Sequence, residues 1–229
     1  MNSKTSQASI ALFDLDHTLL PIDSDHEWGR FLVKIGVVDH EHYERENERF
    51  YNDYKAGRLD IYGFLDFALK PLASHSREQL DQWHEQFMVE MIQPNIRETA
   101  LALVKEHQDR GDICCVVTAT NSFVTRPIAK LFDIEHLIAT EPETRDNLEF
   151  TGKIQGFPNF KEGKVRHVES WLTDLGYDWD TVQTSTFYTD SMNDLSLLEK
   201  VHVPVATNPD ARLRTLAQER AWRVIDLFL

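Results

Sequence analysis

The chain has 229 residues, 41% of them apolar and 27% charged, ordinary proportions for a globular protein with one good core and a smaller appended unit. With 38 acidic against 24 basic side chains the formal charge is −14, which argues against a nucleic-acid backbone or an anionic membrane surface as the main partner. A small phosphorylated metabolite stays compatible, because local positive charge can sit inside an acidic protein. The segment Met1 to Ser9 is polar, without the apolar stretch of a signal peptide, and no run approaches the roughly 18 apolar residues of a membrane helix. The only two cysteines, Cys114 and Cys115, are adjacent within an apolar run, so they read as buried thiols in a reducing compartment. The expectation is a cytoplasmic protein with no membrane partner; oligomeric state is left open.

Ile10 to Phe13 form an apolar run of strand type that ends in Asp14, with Asp16 and Thr18 close behind. Strand side chains alternate faces, so Asp14 and Asp16 point the same way past the strand's carboxyl end. Two like charges that close raise one another's pKa unless a cation or a shared proton relieves them. Those are the needs of metal-assisted and acid–base chemistry.

From about Asp23 to Gln93 the texture is helical and strongly charged. The spacing of apolar residues predicts helices over 23–35, 40–56, 60–72 and 76–92, punctuated by Gly36, Gly57 and the Pro71 region and closed by Pro94. Beyond it the pattern alternates: helix 96–110, strand 113–117, helix 123–132, a short strand 137–139, and a β-hairpin over 141–154 with Asp146-Asn147 at its turn. Helix 164–175, strand 185–189, helix 193–200, strand 203–206, a helix from Pro209 and a strand-like piece 222–225 follow. Such alternation predicts an α/β fold with a doubly wound parallel sheet. The predicted domains are a core of residues 1–20 and 95–229 and an inserted helical cap of residues 21–94, above the sheet edge where such folds place ligands.

Four polar motifs fall at predicted strand ends or helix starts: Asp14-Leu-Asp16-His-Thr18; Thr118 after strand 113–117; Lys164, preceded by Gly163; and Asp190-Ser-Met-Asn193-Asp194 after strand 185–189. In a parallel sheet these positions converge on one crevice. Their order and types resemble the haloacid dehalogenase superfamily of phosphohydrolases, specifically the branch (subfamily IB) with a helical cap between the first and second motifs that includes phosphoserine phosphatase. That resemblance implies a Rossmann-like core and a phosphatase. It implies that Asp14 is the nucleophile that becomes an aspartyl phosphate and that Asp16 is the general acid and then base. It further implies that Asp14, the Asp16 backbone carbonyl and Asp190 ligate Mg2+, that Thr118, Lys164 and Asn193 hold phosphate, and that Asp194 supports metal or lysine. Elementary chemistry agrees. A carboxylate attacking a phosphate dianion needs its charge neutralised, and hard oxygen donors suit magnesium. A phosphotransferase or phosphomutase would use the same motifs. A non-catalytic phosphate sensor would lack at least one of these groups, and all are present.

The plainer readings are turn or helix-capping roles for Asp14, Asp16, Asp190 and Asp194, and a surface role for Lys164, with Lys161 its rival. A calcium loop of EF-hand type fails because Leu19 stands where its glycine belongs. The histidines His26, His40, His42, His75 and His84 show no zinc spacing and read as surface or packing residues. One departure from phosphoserine phosphatase is visible: Thr118 is followed by Ala-Thr-Asn, where that enzyme has glycines. In the cap, Asp23 and Asp25 beside His26 and Glu27 are candidate specificity residues. Carboxylates above the reaction centre suit an amino-alcohol phosphate such as histidinol phosphate or phosphoserine. A carboxylate-bearing substrate would also want an arginine, for which Arg45, Arg49 and Arg58 are the candidates.

Overall fold

The structure is a computed structural model that describes residues 8–145 and 148–228. Six parallel strands form one sheet: β1 (Ser9–Phe13), β2 (Ile113–Asn121), β3 (His136–Thr140), β6 (Thr184–Thr189), β7 (Val203–Thr207) and β8 (Arg223–Ile225), in the order β3-β2-β1-β6-β7-β8. The central position of β1 explains why its residues 10–13 are all apolar. Ala11 and Phe13 enter one hydrophobic cluster while Ile10 and Leu12 enter the other, on the opposite face. Phe13 lies opposite Val116 on one side and Tyr188 on the other. Asp14, Thr118 and Asp190 therefore leave three adjacent strands along the same edge. The antiparallel pair β4 (Pro142–Thr144) and β5 (Phe150–Ile154) is the expected hairpin; its turn residues Asp146 and Asn147 lie outside the described residues.

Between β1 and β2 stand α1 (Ser24–Lys34), α2 (His40–Lys55), α3 (Ile61–Ala68), α4 (Lys70–Ser74) and α5 (Arg77–Phe87). Asp23, Asp39, Asp60 and Ser76 each accept the backbone N–H three residues on, capping α1, α2, α3 and α5. Two expected helices are broken. The 60–72 helix stops at Leu69 and restarts as α4, because Pro71 has no N–H to continue the ladder. The 76–92 helix gives way after Phe87 to a π-helical turn, Met88–Ile92, and a 3-10 turn, Gln93–Asn95, containing Pro94. The remaining helices are α6 (Glu98–Asp109), α7 (Ser122–Leu131), α8 (Glu162–Asp174), α9 (Leu195–Leu198) and α10 (Ala211–Glu219).

One apolar cluster runs from Phe13 and Val116 on the sheet through Val124 and Ile128 of α7 into Trp28 and Phe31 of α1 and Phe87 of α5. Trp28 meets Phe87 and Phe123 edge-on, at ring separations of 5.2 and 5.8 Å. The base of the helical insertion thus shares the core of the sheet. Its outer part, α2 and α3, is tied together by Tyr43–Phe67 and Phe50–Phe64 contacts at 4.4 and 5.4 Å. Cys114 and Cys115 are free and buried. Among the described residues no helix is long and apolar enough to cross a membrane.

Candidate active site

The three strand ends and the start of α8 bring four of the expected groups into contact. The Lys164 ammonium, itself 1% exposed, lies 2.8 Å from both Asp14 Oδ1 and Asp194 Oδ2. Thr189 Oγ1 donates to the same Asp194 oxygen at 2.7 Å. Thr18 Oγ1 reaches Asp14 Oδ2 at 3.2 Å and Asp190 Oδ1 at 3.5 Å, and accepts the Asp190 N–H at 3.1 Å. Thr118 is buried in the last part of β2, where pairing with β3 shifts register between Val117 and Asn121. That irregularity frees residues 118–120 from the ladder, as bulges beside active sites do. Thr118 thus lies inside β2, which runs on to Asn121 and is longer than its apolar run suggests. Lys161, the rival cation, donates instead to the Gly57 carbonyl at 3.2 Å.

Asp16 is gripped at both oxygens, by the Ser24 N–H on Oδ1 at 2.7 Å and by Thr120 Oγ1 on Oδ2 at 2.8 Å. Burial and then the Asp23 charge push its carboxyl up to about 6, against those donors. Burial also pushes Asp14 up, to about 7, against the pull of Lys164. Burial alone would lower Lys164, but Asp14 and Asp194 more than offset it and raise it, so it carries its charge. Asp190 is driven well above the usual carboxylate range by burial and by Asp14 and Asp194.

The pocket therefore holds three buried or nearly buried carboxylates, Asp14, Asp190 and Asp194, and its ammonium, Lys164, pairs with Asp14 and Asp194 rather than with Asp190. With all three ionised the pocket would carry an excess of two negative charges, costly when desolvated, and a magnesium ion on these hard oxygen donors would offset it. Among the described residues no three His, Cys, Asp or Glu side chains form a ready-made cluster, so carboxylates alone do not complete a ligand set.

From Asp14 and Asp16 a cleft opens under α2 and α3. Its walls are Asp23, Asp25, His26, Asn47, Phe50, Tyr51, Tyr54, Leu59, Ile61, Phe64, Thr118, Ala119, Thr120 and Phe160. Among the described residues no lysine or arginine is part of this lining, although Lys164 meets Asp14 from behind it and Lys55 and Lys161 lie against the Tyr51 and Phe160 rings. Asp23 both caps α1, taking the His26 N–H at 2.9 Å, and faces the cleft. Asp25 is pushed well up by burial and by Asp23 and Asp16. Arg45, Arg49 and Arg58 point elsewhere, to Glu46 and Asp53 on the outer side of α2. Asn193, expected at phosphate, gives its side-chain amide to the Tyr54 carbonyl at 3.1 Å. Sequence reasoning passed over Tyr54, Tyr51 and Phe160; His26, expected as a surface or packing residue next to the candidate specificity residues Asp23 and Asp25, packs on Tyr51 and lines the cleft. His26 stacks on Tyr51 at 4.7 Å, and Tyr51 meets His17 Nε2 at 3.0 Å. It also missed Asn159, fully buried, whose amide nitrogen holds the Thr118 carbonyl at 2.7 Å and the Ile138 carbonyl at 3.0 Å.

The sequence profile of haloacid dehalogenase-like hydrolases matches residues 11–199. The chain belongs to the haloacid dehalogenase-like hydrolase family. A relative within reach of sequence comparison is the histidinol-phosphatase of Neisseria meningitidis serogroup C, 44% identical over 218 residues, which span 95% of this chain and 98% of that one. A crystal structure of a Bordetella pertussis Tohama I protein of unknown function superposes with a TM-score of 0.92 at 47% identity, covering 97% and 100% of the two chains. A substrate-bound phosphoserine phosphatase superposes with a TM-score of 0.69 at 18% identity, covering 96% and 93%, a likeness of fold. The motifs with which this haloacid dehalogenase-like chain opens, Asp14 and Asp16, fall at the start of the matched span, and Asp190 to Asp194 near its end.

Proposed function

We propose that this protein is a magnesium-dependent phosphatase that hydrolyses a small amino-alcohol phosphate, histidinol phosphate, through an aspartyl phosphate on Asp14. The observation that carries the substrate is the cleft: four carboxylates and a set of aromatic rings line it, and the Lys164 ammonium beside it is already taken up between Asp14 and Asp194. Such a lining receives an ammonium and an imidazole ring. It opposes phosphoserine, whose carboxylate would meet like charge at a cost of several kcal/mol. The identity to the Neisseria histidinol-phosphatase supports the same choice.

In this reading an Asp14 oxygen attacks phosphorus in line while the bond from phosphorus to the alcohol oxygen breaks. Asp16, as the carboxylic acid, gives its proton to that departing oxygen. Asp16 then takes a proton from water as the water oxygen bonds phosphorus and the Asp14–phosphorus bond breaks, releasing inorganic phosphate. The elevated pKa of Asp16 favours the acid form that the first step needs. Lys164 and the Thr118 hydroxyl hold phosphoryl oxygens, and Asp194 holds Lys164 in place. Asn193 supports phosphate binding by fixing the loop beneath Tyr54. Asp14, Asp190 and the Asp16 carbonyl would hold magnesium, whose charge neutralises the phosphoryl oxygens. Asp23 and Asp25 set specificity. The same proposal divides the chain into a core of residues 1–20 and 95–229 and a cap of residues 21–94, and places it in the reducing cytoplasm, where its free thiols are stable.

The test is a panel of phosphate monoesters with magnesium and no added acceptor, read as free phosphate. Histidinol phosphate should give the highest kcat/KM, at least about 10-fold above phosphoserine. Best turnover of a sugar phosphate or of phosphoserine would refute the substrate assignment. No free phosphate without an acceptor, with the phosphoryl group recovered as the ester of an added hydroxyl compound, would make the protein a phosphotransferase.

A further inference from the structure

The two oxygens of Asp16 have chemically unequal partners. Oδ1 faces the Ser24 peptide N–H at 2.7 Å, and Oδ2 faces the Thr120 hydroxyl at 2.8 Å. A peptide N–H only donates, so Oδ1 must remain an acceptor whatever the state of the carboxyl group. A hydroxyl both donates and accepts, and its hydrogen turns freely about the C–O bond. Thr120 can therefore donate to Oδ2 of the carboxylate and accept from Oδ2–H of the acid.

We infer that Thr120 is a positioning residue that makes Oδ2 the proton-carrying oxygen of Asp16 and reverses its own hydrogen bond each time that proton leaves or returns. The inference rests on the reading of Asp16 as acid and base. Four observations support a placed residue over an incidental contact. Thr120 is 6% exposed, so water does not substitute for its hydroxyl. The register shift between Val117 and Asn121 takes it out of the β2–β3 ladder. Its backbone N–H is already satisfied by Thr118 Oγ1 at 3.2 Å, so the hydroxyl is not needed to complete the strand. Thr120 also lines the cleft beside Asp16, on the side from which a leaving alcohol departs in the proposed reaction.

Proton transfer to the departing oxygen matters when that oxygen leaves as an alkoxide and hardly at all when it leaves as a stabilised phenolate. The experiment compares wild type, Thr120→Val and Thr120→Ser on histidinol phosphate and on p-nitrophenyl phosphate, with thermal melting as the control for folding. Thr120→Val keeps the shape and removes the hydroxyl. It should lower kcat on histidinol phosphate by about 10- to 100-fold, a part of what general acid catalysis contributes. KM and the pre-steady-state burst of nitrophenolate should stay within about 3-fold of wild type, and Thr120→Ser should recover most of the loss. Equal losses on the alkyl ester and in the burst, or a serine variant no better than valine, would overturn the role of Thr120 and leave the phosphatase reading intact. Should Thr120→Val melt well below wild type, Thr120→Ser against Thr120→Ala gives the same comparison without the buried extra methyl groups. A wild-type protein that releases phosphate from neither compound refutes the phosphatase reading itself, before any variant is compared.

Discussion

Replacing Gly163 with alanine tests how the position of Lys164 is secured. A Cβ at residue 163 would stand 2.2 Å from the Pro158 carbonyl oxygen and 3.6 Å from Phe157 Cδ2. A comfortable carbon–oxygen contact is about 3.3 Å, so the turn that feeds α8 must open by about 1 Å. The obstacle is backbone, which cannot swing aside as a side chain would. Overpacking of this kind costs about 1–3 kcal/mol. The displaced segment also carries the next residue, whose ammonium sits 2.8 Å from Asp14 and from Asp194, and a 1 Å misplacement of a reacting group can cost about 100-fold in rate. Gly163→Ala should therefore lower both stability, read by urea denaturation, and kcat, read on histidinol phosphate. Gly111→Ala is the comparison: its φ is +79° with nothing within 4 Å of the added carbon, so it should cost about 1–2 kcal/mol of backbone strain and leave kcat alone. A Gly163→Ala protein with wild-type kcat would refute the claim that this turn sets the lysine.

Asp14→Asn should abolish turnover, by at least about 1,000-fold, while the circular dichroism spectrum stays native; residual steady-state activity above that level would remove Asp14 from the nucleophile's place. Excess chelator should silence the wild-type enzyme, and added magnesium should restore it. His84 gives a pH prediction. Its Nε2 donates to the Val124 carbonyl at 3.0 Å, and burial lowers its pKa below the ordinary value. The unfolded chain therefore binds a proton first as pH falls, so stability from this group is full above about 6.5 and is lost below it. The stability difference between wild type and His84→Gln, measured by denaturant, should shrink between pH 8 and pH 5.5; a constant difference would show that His84 does not titrate in that way.

The fold was legible because the chain's periodicities are clean. The β1 run is apolar on both alternating faces, and each long inserted helix begins after an aspartate or serine that caps it. The carboxylate pair and Lys164 were legible because charged residues at strand ends and helix starts have few structural uses. What escaped was whatever depends on how helices roll and strands slip. Nothing local says that α2 turns Tyr51 and Tyr54 toward the site while Arg45, Arg49 and Arg58 face its outer side. Nothing local says that Asn193 spends its amide on the Tyr54 carbonyl. Likewise the register shift that releases Thr118 and Thr120 arises from pairing with β3, and so does the environment that fixes Asn159. The break at Leu69 and the end of the helical stretch at the Gln93–Asn95 turn could have been anticipated from Pro71 and Pro94, whose missing N–H groups end a helical ladder nearby.

The sheet order has a kinetic side. Phe13 lies opposite Val116, so the two strands that deliver Asp14 and Thr118 are neighbours in space and about a hundred residues apart along the chain. Closing a loop of that length from an open coil costs about 4 kcal/mol of chain entropy. The cost falls once the intervening helices have collapsed, and the shared cluster of Trp28, Phe31 and Phe87 against Phe13 and Phe123 is a means of drawing the strand ends together. Activity should thus appear late in refolding, after helix formation is complete, and variants that loosen α1 or α5 should delay it even though neither helix supplies the nucleophile.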